Sequence, residues 1–180
     1  GLGRAEDTQA AIREVIKNCE KPLVIDADGL NALADNIEVL VNSRSLAIMT
    51  PHPGEMARLT KMSPAQINQD RVNVARQFAM QWGSIIVLKG ARTVIAFPDG
   101  EIFINTTGNA GMASGGNGDV LTGIIAAFIG QGLSSHAAAI VGTYVHGLAA
   151  DIAASTGQIG LTAGEVVNAI RAAIFAIQQE

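Results

Sequence analysis

Three short apolar runs, Pro22-Leu-Val-Ile-Asp26-Ala, Leu46-Ala-Ile-Met-Thr50 and Ile85-Ile-Val-Leu-Lys89, recur between stretches of helical spacing. Continuous apolar runs suit strands buried on both faces, and strands separated by helices pair in parallel through crossovers. The expected fold is therefore α/β, layered around a mainly parallel sheet. Asp7-Thr8 precede a helical run to about Asn18. Ser63-Pro64-Ala-Gln66 is a capping box with proline at the first helical position, and Gly83 is a C-cap stop for that helix. Thr93 to Phe97 and Ile102 to Asn105, joined through Pro98-Asp99-Gly100, read as a hairpin at one sheet edge. Two helices, roughly 119 to 130 and 135 to 155, follow, and Thr162-Ala-Gly-Glu165 caps a last one to about 178. With no repeat, low-complexity tract or linker, one domain over residues 1–180 is enough.

The 48% hydrophobic content and mean hydropathy of +0.29 are high for a domain of 180 residues and 18.6 kDa. Doubly buried strands explain part of this, and apolar surface covered by another piece of chain or another subunit explains more. A net charge of −4, a pI near 5.3 and scattered lysines and arginines argue against a nucleic-acid groove and an anionic membrane surface. Cys19 is the only cysteine, which excludes an internal disulfide and a cysteine-rich zinc site and suits a reducing compartment, the cytoplasm. The most membrane-like run, His136 to Ala154, carries His146 and Asp151 and reads as a buried helix. The chain opens on Gly1-Leu2-Gly3-Arg4 without an initiator methionine or a signal peptide, as a piece of a longer protein would.

Chemistry concentrates in Asn109-Ala-Gly-Met-Ala-Ser-Gly115-Gly116-Asn117-Gly118-Asp119, a glycine-rich loop that runs into an apolar helix. Glycines let successive N–H groups converge, and the positive end of a helix favours phosphate there. Asp119 has two readings. It is either a carboxylate that takes a proton or helps hold a metal beside the anion, or an N-cap that satisfies orphan amides.

In open parallel sheets ligands gather at the carboxyl ends of strands. Polar residues stand at each such end here: Asp26, Asp28 and Asn31; Thr50, His52 and Glu55; Lys89, Gly90, Arg92 and Thr93; Asn105 and Thr107. Singly, Asp28-Gly29 and Pro51-His-Pro-Gly54 are also ordinary turn chemistry, and Glu55 falls where any helix start favours a carboxylate. Lys89 is either a phosphate contact or a solvated strand-end lysine. His52, between two prolines, is aimed to contact substrate, whereas His146 reads as a packed core or interface histidine.

Four motifs, in order, carry a resemblance: Asp26-Ala-Asp-Gly-Leu-Asn31, Thr50-Pro-His-Pro-Gly-Glu55, Leu88-Lys-Gly-Ala-Arg-Thr93, and Asn105-Thr-Thr-Gly-Asn109 leading to Gly116-Asn-Gly-Asp119. Together they resemble the ADP/ATP-dependent NAD(P)H-hydrate dehydratases, carbohydrate-kinase-like repair enzymes of the ribokinase superfamily. The resemblance implies a ribokinase-like three-layer sandwich lacking its N-terminal βαβ portion, in a longer native protein that some family members fuse to an epimerase domain. It also implies that a nucleotide, ADP or ATP with Mg2+, phosphorylates the hydroxyl of NADH hydrate or NADPH hydrate, and that loss of phosphate restores NADH or NADPH. Carried over by position, Asp119 contacts the hydrate and acts as the base. Gly116, Asn117 and Gly118 form the anion hole, while Lys89, Gly90, Ala91, Arg92, Thr93 and Gly118 bind nucleotide. Gly3 and His52 bind the hydrate, and no protein cage for the metal is expected. Partners would be these small molecules, other copies of the chain in a homo-oligomer and the N-terminal portion, with no nucleic acid and no membrane. The runner-up is an alcohol kinase of the same superfamily.

Overall fold

The computed structural model describes residues 1–179, which divide into two compact units: residues 1–90 with 94–103, and residues 91–93 with 104–179.

The first unit begins with α1 (Glu6–Asn18), β1 (Leu23–Ile25), α2 (Asp28–Leu33), α3 (Glu38–Val41) and β2 (Ala47–Met49). It continues through α4 (Pro53–Thr60), α5 (Pro64–Gln69), α6 (Arg71–Trp82), β3 (Ile85–Leu88) and β4 (Val94–Ala96). With β5 (Ile102–Ile104) the strands form one five-stranded sheet in the order β1-β2-β3-β4-β5. The first three are parallel, with Val24 opposite Ile48 and Met49 opposite Ile86, and β4 runs antiparallel to β3 with Val87 opposite Ile95. The α/β, mainly parallel sheet expected from the apolar runs is thus present. Ile25, Met49, Ile86, Leu88 and Ala96 point to one face and pack with Leu33, Met56, Ile67 and Trp82 from the helices. Ile48, Ile85, Val87 and Ile95, on the opposite face, are fully buried too, which is why β2 and β3 read as unbroken apolar runs.

Two segments depart from the sequence expectation. Asp28-Gly29 opens α2 instead of forming a turn, because the preceding Ala27 takes an unusual backbone (φ 48°, ψ −112°) that redirects the chain into a helix. The single helix expected between Ser63 and Gly83 is two, α5 and α6, broken at Asp70. That residue leaves helical geometry (φ −145°) and caps the second helix by accepting from the Asn73 N–H. Gly83 does stop α6 in the left-handed conformation, φ 59°. The expected hairpin also forms, with Phe97 N–H donating to the Glu101 carbonyl across a turn whose Gly100 has φ 89°.

The second unit is helical: α7 (Asn117–Gly130), α8 (Ser135–Ala153) and α9 (Ala163–Ile177). Its core joins Ile124 of α7, Val145, Ala149 and Ala150 of α8, and Val166 and Ala173 of α9, with Leu161 from the loop before α9. By length and composition α8 could cross a bilayer, but half of it is buried, with Ala138, Gly142 and His146 among the inward positions. It therefore serves here as a core helix, and His146 is packed within it as expected.

Candidate active site

In the first unit the carboxyl ends of β1, β2 and β3 bring Asp26, Glu55 and Lys89 together. Lys89 Nζ donates to Asp26 Oδ1 at 2.8 Å and lies 3.7 Å from Glu55 Oε2. The side chains are only 10% (Asp26), 7% (Glu55) and 20% (Lys89) exposed, so Lys89 is not the solvated strand-end lysine of the simpler reading. The backbone fixes this arrangement: Thr50 N–H donates to Ile25 carbonyl and Lys89 N–H to Pro51 carbonyl, locking the three strand ends in register.

His52 is the N-cap of α4. Its Nδ1 accepts from the Gly54 and Glu55 N–H groups, while Glu55 Oε2 accepts from the His52 N–H at 2.8 Å, a reciprocal capping box with Pro53 at N1. Accepting at Nδ1 requires that nitrogen to be unprotonated, which leaves Nε2, 3.6 Å from Glu55 Oε2, as the ring's donor. The ring is half exposed, so it is oriented by the helix start and open to a ligand. The sequence signalled the aim of His52 through its flanking prolines. It did not signal the cap, because histidine is an uncommon one.

A second polar chain leads to the first residues. Asp28 Oδ2 accepts from the Gly3 N–H at 2.9 Å, Asn31 Nδ2 donates to Asp28 Oδ1, and Arg58 Nε donates to Asn31 Oδ1. The Gly3 bond is the main cause that holds the Asp28 carboxyl below its ordinary range. Beyond β3, Gly90 takes φ 151° with the Arg71 guanidinium against it; a Cβ there would lie 2.9 Å from Arg71 Nη2, which itself donates to the Leu88 carbonyl. Ala91 and Arg92, in the second unit, are exposed, and Arg92 takes φ 56°. Thr93 is half-buried, and its carbonyl accepts from the Asn105 N–H.

Within the second unit the glycine loop enters α7 as the sequence suggested. Gly116 is the N-cap, left-handed at φ 91° and with no side-chain cap, and Asp119 sits exposed in the first turn. Asp119 is therefore not the N-cap, and the capping explanation for its presence fails. The N–H groups at the start of any helix lack intrahelical acceptors, so Asn117, Gly118 and Asp119 offer them where the helix dipole is positive. The Asn117 side chain turns inward instead. It is 5% exposed, its Nδ2 donates to the Met112 carbonyl and Ser114 Oγ, and Ser114 Oγ donates to the Leu161 carbonyl. Asn117 can thus meet an anion through its backbone only.

Asn105 and Thr107 hold their own loop rather than facing a ligand. Asn105 is buried, with Nδ2 donating to the Thr107 and Thr143 carbonyls, and Thr107 Oγ1 donates to the Tyr144 carbonyl. No group of three or more His, Cys, Asp or Glu side chains suited to a metal occurs among the described residues. A shallow depression of about 450 Å³ lined by Leu40, Arg44, Met80 and Trp82 lies at the opposite, amino ends of β2 and β3. It includes none of the strand-end residues that carry charge.

The fold is that of a ribokinase-like α/β protein: a ribokinase-like superfamily protein from Enterococcus faecalis superposes with a TM-score of 0.76 at 32% identity, over 99% of this chain and 61% of that one. Solved structures agree: an ADP/ATP-dependent NAD(P)H-hydrate dehydratase from Bacillus subtilis, co-crystallized with ATP/Mg2+ and soaked with CoA, superposes with a TM-score of 0.89 at 34% identity, over 98% of this chain and 63% of that one. The profile of the NAD(P)H-hydrate dehydratase family matches residues 1–172, and the chain belongs to that family. A bifunctional NAD(P)H-hydrate repair enzyme from Moorella thermoacetica is 46% identical over 100% of this chain and 34% of its own length. An ADP-dependent (S)-NAD(P)H-hydrate dehydratase from Neisseria meningitidis is 43% identical over 95% of this chain and 59% of its own. The chain thus spans between a third and two thirds of these relatives.

Proposed function

We propose that the protein is a nucleotide-dependent hydro-lyase that returns (S)-NADH hydrate and (S)-NADPH hydrate to NADH and NADPH at the expense of ADP or ATP. One observation carries the reading: an exposed carboxylate, Asp119, stands in the first turn of a 14-residue helix whose N-cap is a left-handed glycine, with no capping task to explain it. In this reading Asp119 takes the proton of the hydrate hydroxyl and the freed oxygen attacks the terminal phosphorus of the nucleotide. The N–H groups of Gly116, Asn117 and Gly118 stabilise the charge that develops on the transferred phosphoryl group. Phosphate then leaves with the electron pair of its C–O bond, the adjacent ring C–H gives up its proton to water, and the electron pair of that C–H bond restores the ring double bond.

Lys89, Gly90, Ala91, Arg92, Thr93 and Gly118 are assigned to the nucleotide, and Gly3, His52 and Asp119 to the hydrate. Magnesium supplies charge neutralisation on the nucleotide phosphates. An ion that keeps several waters and bridges the nucleotide phosphates needs at most one or two protein carboxylates, and Asp26 and Glu55 stand at these strand ends. Exposed Val167 and Phe175 on α9 support self-association, and the free thiol of Cys19 suits the cytoplasm.

The test is incubation of the protein with NADH hydrate, ADP and magnesium. Return of the reduced-nicotinamide absorbance with release of AMP and phosphate supports the proposal. Accumulation of a stable phosphorylated alcohol instead would make it an alcohol kinase of the same superfamily.

A further inference from the structure

Asp151 is the only carboxylate on α8, a helix mainly of small and apolar residues that also carries His136, Tyr144 and His146. Its two oxygens are engaged by a loop more than forty residues earlier: Gly108 N–H donates to Oδ2 at 2.8 Å and Asn109 Nδ2 to Oδ1 at 2.9 Å. The contact belongs to a track along one side of the helix, where Thr143, Gly147 and Asp151 follow at intervals of four. Thr143 offers its carbonyl to Asn105, Gly147 leaves room for Thr107, and Asp151 closes the track.

From Asp151 a polar chain runs to the head of α7. The Asn109 Oδ1 caps the Gly111 N–H at 3.0 Å, so both ends of that amide are fixed. The short turn it caps ends at Met112, whose carbonyl accepts from Asn117 Nδ2, and Asn117 is the first residue of α7. We propose that Asp151 is a positioning residue. Through Asn109 and the turn at Ala110–Met112 it sets the placement of the glycine loop, and with it the N–H groups of Gly116, Asn117 and Gly118 and the carboxylate of Asp119. That those groups grip phosphate rests on the function proposed above. That Asp151 places them does not.

The chemistry of the pair explains why an acid is needed. A carboxylate accepts at both oxygens, as two donors from the loop demand, whereas an asparagine carries one acceptor and one donor. In Asp151→Asn the new NH2 group must face either the Gly108 N–H or Asn109 Nδ2. Turning the Asn109 amide to relieve the second clash would set its NH2 against the Gly111 N–H. Either way the chain breaks. The reciprocal swap repairs it: with Asn109→Asp and Asp151→Asn together, the acid at 109 accepts from the amide at 151 and from Gly111, and the amide oxygen at 151 accepts from Gly108.

The experiment compares wild type, Asp151→Asn, Asn109→Asp and the double variant by hydrogen exchange over residues 105–119 without substrate, and by kcat and KM with hydrate and ADP. Asp151→Asn should lose protection across 108–118 and lower kcat by roughly 10²-fold, as small misplacements of reacting groups do, with little change in KM for the hydrate. The double variant should recover both. Wild-type exchange and wild-type kcat in Asp151→Asn, or a double variant no better than the singles, would overturn the proposal. If Asp151→Asn does not fold, the double variant decides alone, by folding with a protected loop or failing to. A wild-type protein inactive on hydrate removes the proposed function, and the exchange measurements still decide the role of Asp151.

Discussion

At the scale of the residue, the surroundings of Asp119, the proposed base, make its effect separable from folding. It is exposed and caps nothing, so Asp119→Asn should lose no more than the roughly 0.3–1 kcal/mol a carboxylate gains in the first turn of a helix, and bind ADP with similar affinity by calorimetry. Turnover of NADH hydrate should fall by about 10² to 10⁴, the range for losing a general base. Lys89→Met should act differently, because it takes the ammonium away from two nearly buried carboxylates, Asp26 and Glu55. A loss on the order of 3 kcal/mol in denaturant unfolding is expected, and a variant as stable as wild type would show that the pair contributes nothing. Glu165 carries the pH dependence of α9. The Thr162 hydroxyl and N–H hold its carboxyl below the ordinary range. Its folded pKa being the lower one, the stabilisation is present above the unfolded value and is lost as pH falls through the folded one. Its carboxyl resonance should titrate at lower pH than that of a free glutamate, and Thr162→Val should move the midpoint upward.

At the scale of the element, two glycines in neighbouring helices should respond to alanine with opposite signs. Gly123, inside α7, is exposed and has nothing within 4 Å of the point where an added Cβ would sit, so Gly123→Ala should raise stability by roughly 0.5–1 kcal/mol. Gly147, inside α8, would bring its Cβ to 2.7 Å of the Thr107 carbonyl carbon. Gly147→Ala should therefore cost about 1–3 kcal/mol despite alanine's better helix propensity, with chemical denaturation measuring both. Capping boxes at Ser63 and Thr162 were legible because their partners lie three residues away. The α5–α6 break was not: Asp70 leaves the helix to cap the next one, and a helical pattern on each side conceals a change of direction between them. α2 and α3 were missed for a similar reason, since helices of six and four residues are too short to show a period.

For the whole molecule the ligand expectation follows from charge. Without a cluster of three or more metal-binding side chains among the described residues, magnesium alone should leave the melting temperature unchanged. Magnesium with ADP at about 100 times its Kd should add roughly 2.7 kcal/mol, seen as a higher melting temperature; a shift with magnesium alone would reveal a protein-held ion. The amino-acid sequence by itself determined the α/β class, the parallel strands and the edge hairpin, because these rest on local spacing and residue type, and its four motifs in order carried the resemblance to the family. Tertiary structure decided what those residues touch. It made Lys89 an ion-paired, mostly buried group, turned Asn117 into a brace, and denied Asp119 the role of cap. It also gave Asp151 a task that no window along the chain could show, since its two partners lie 42 and 43 residues away and meet it only once α8 has packed beside the loop.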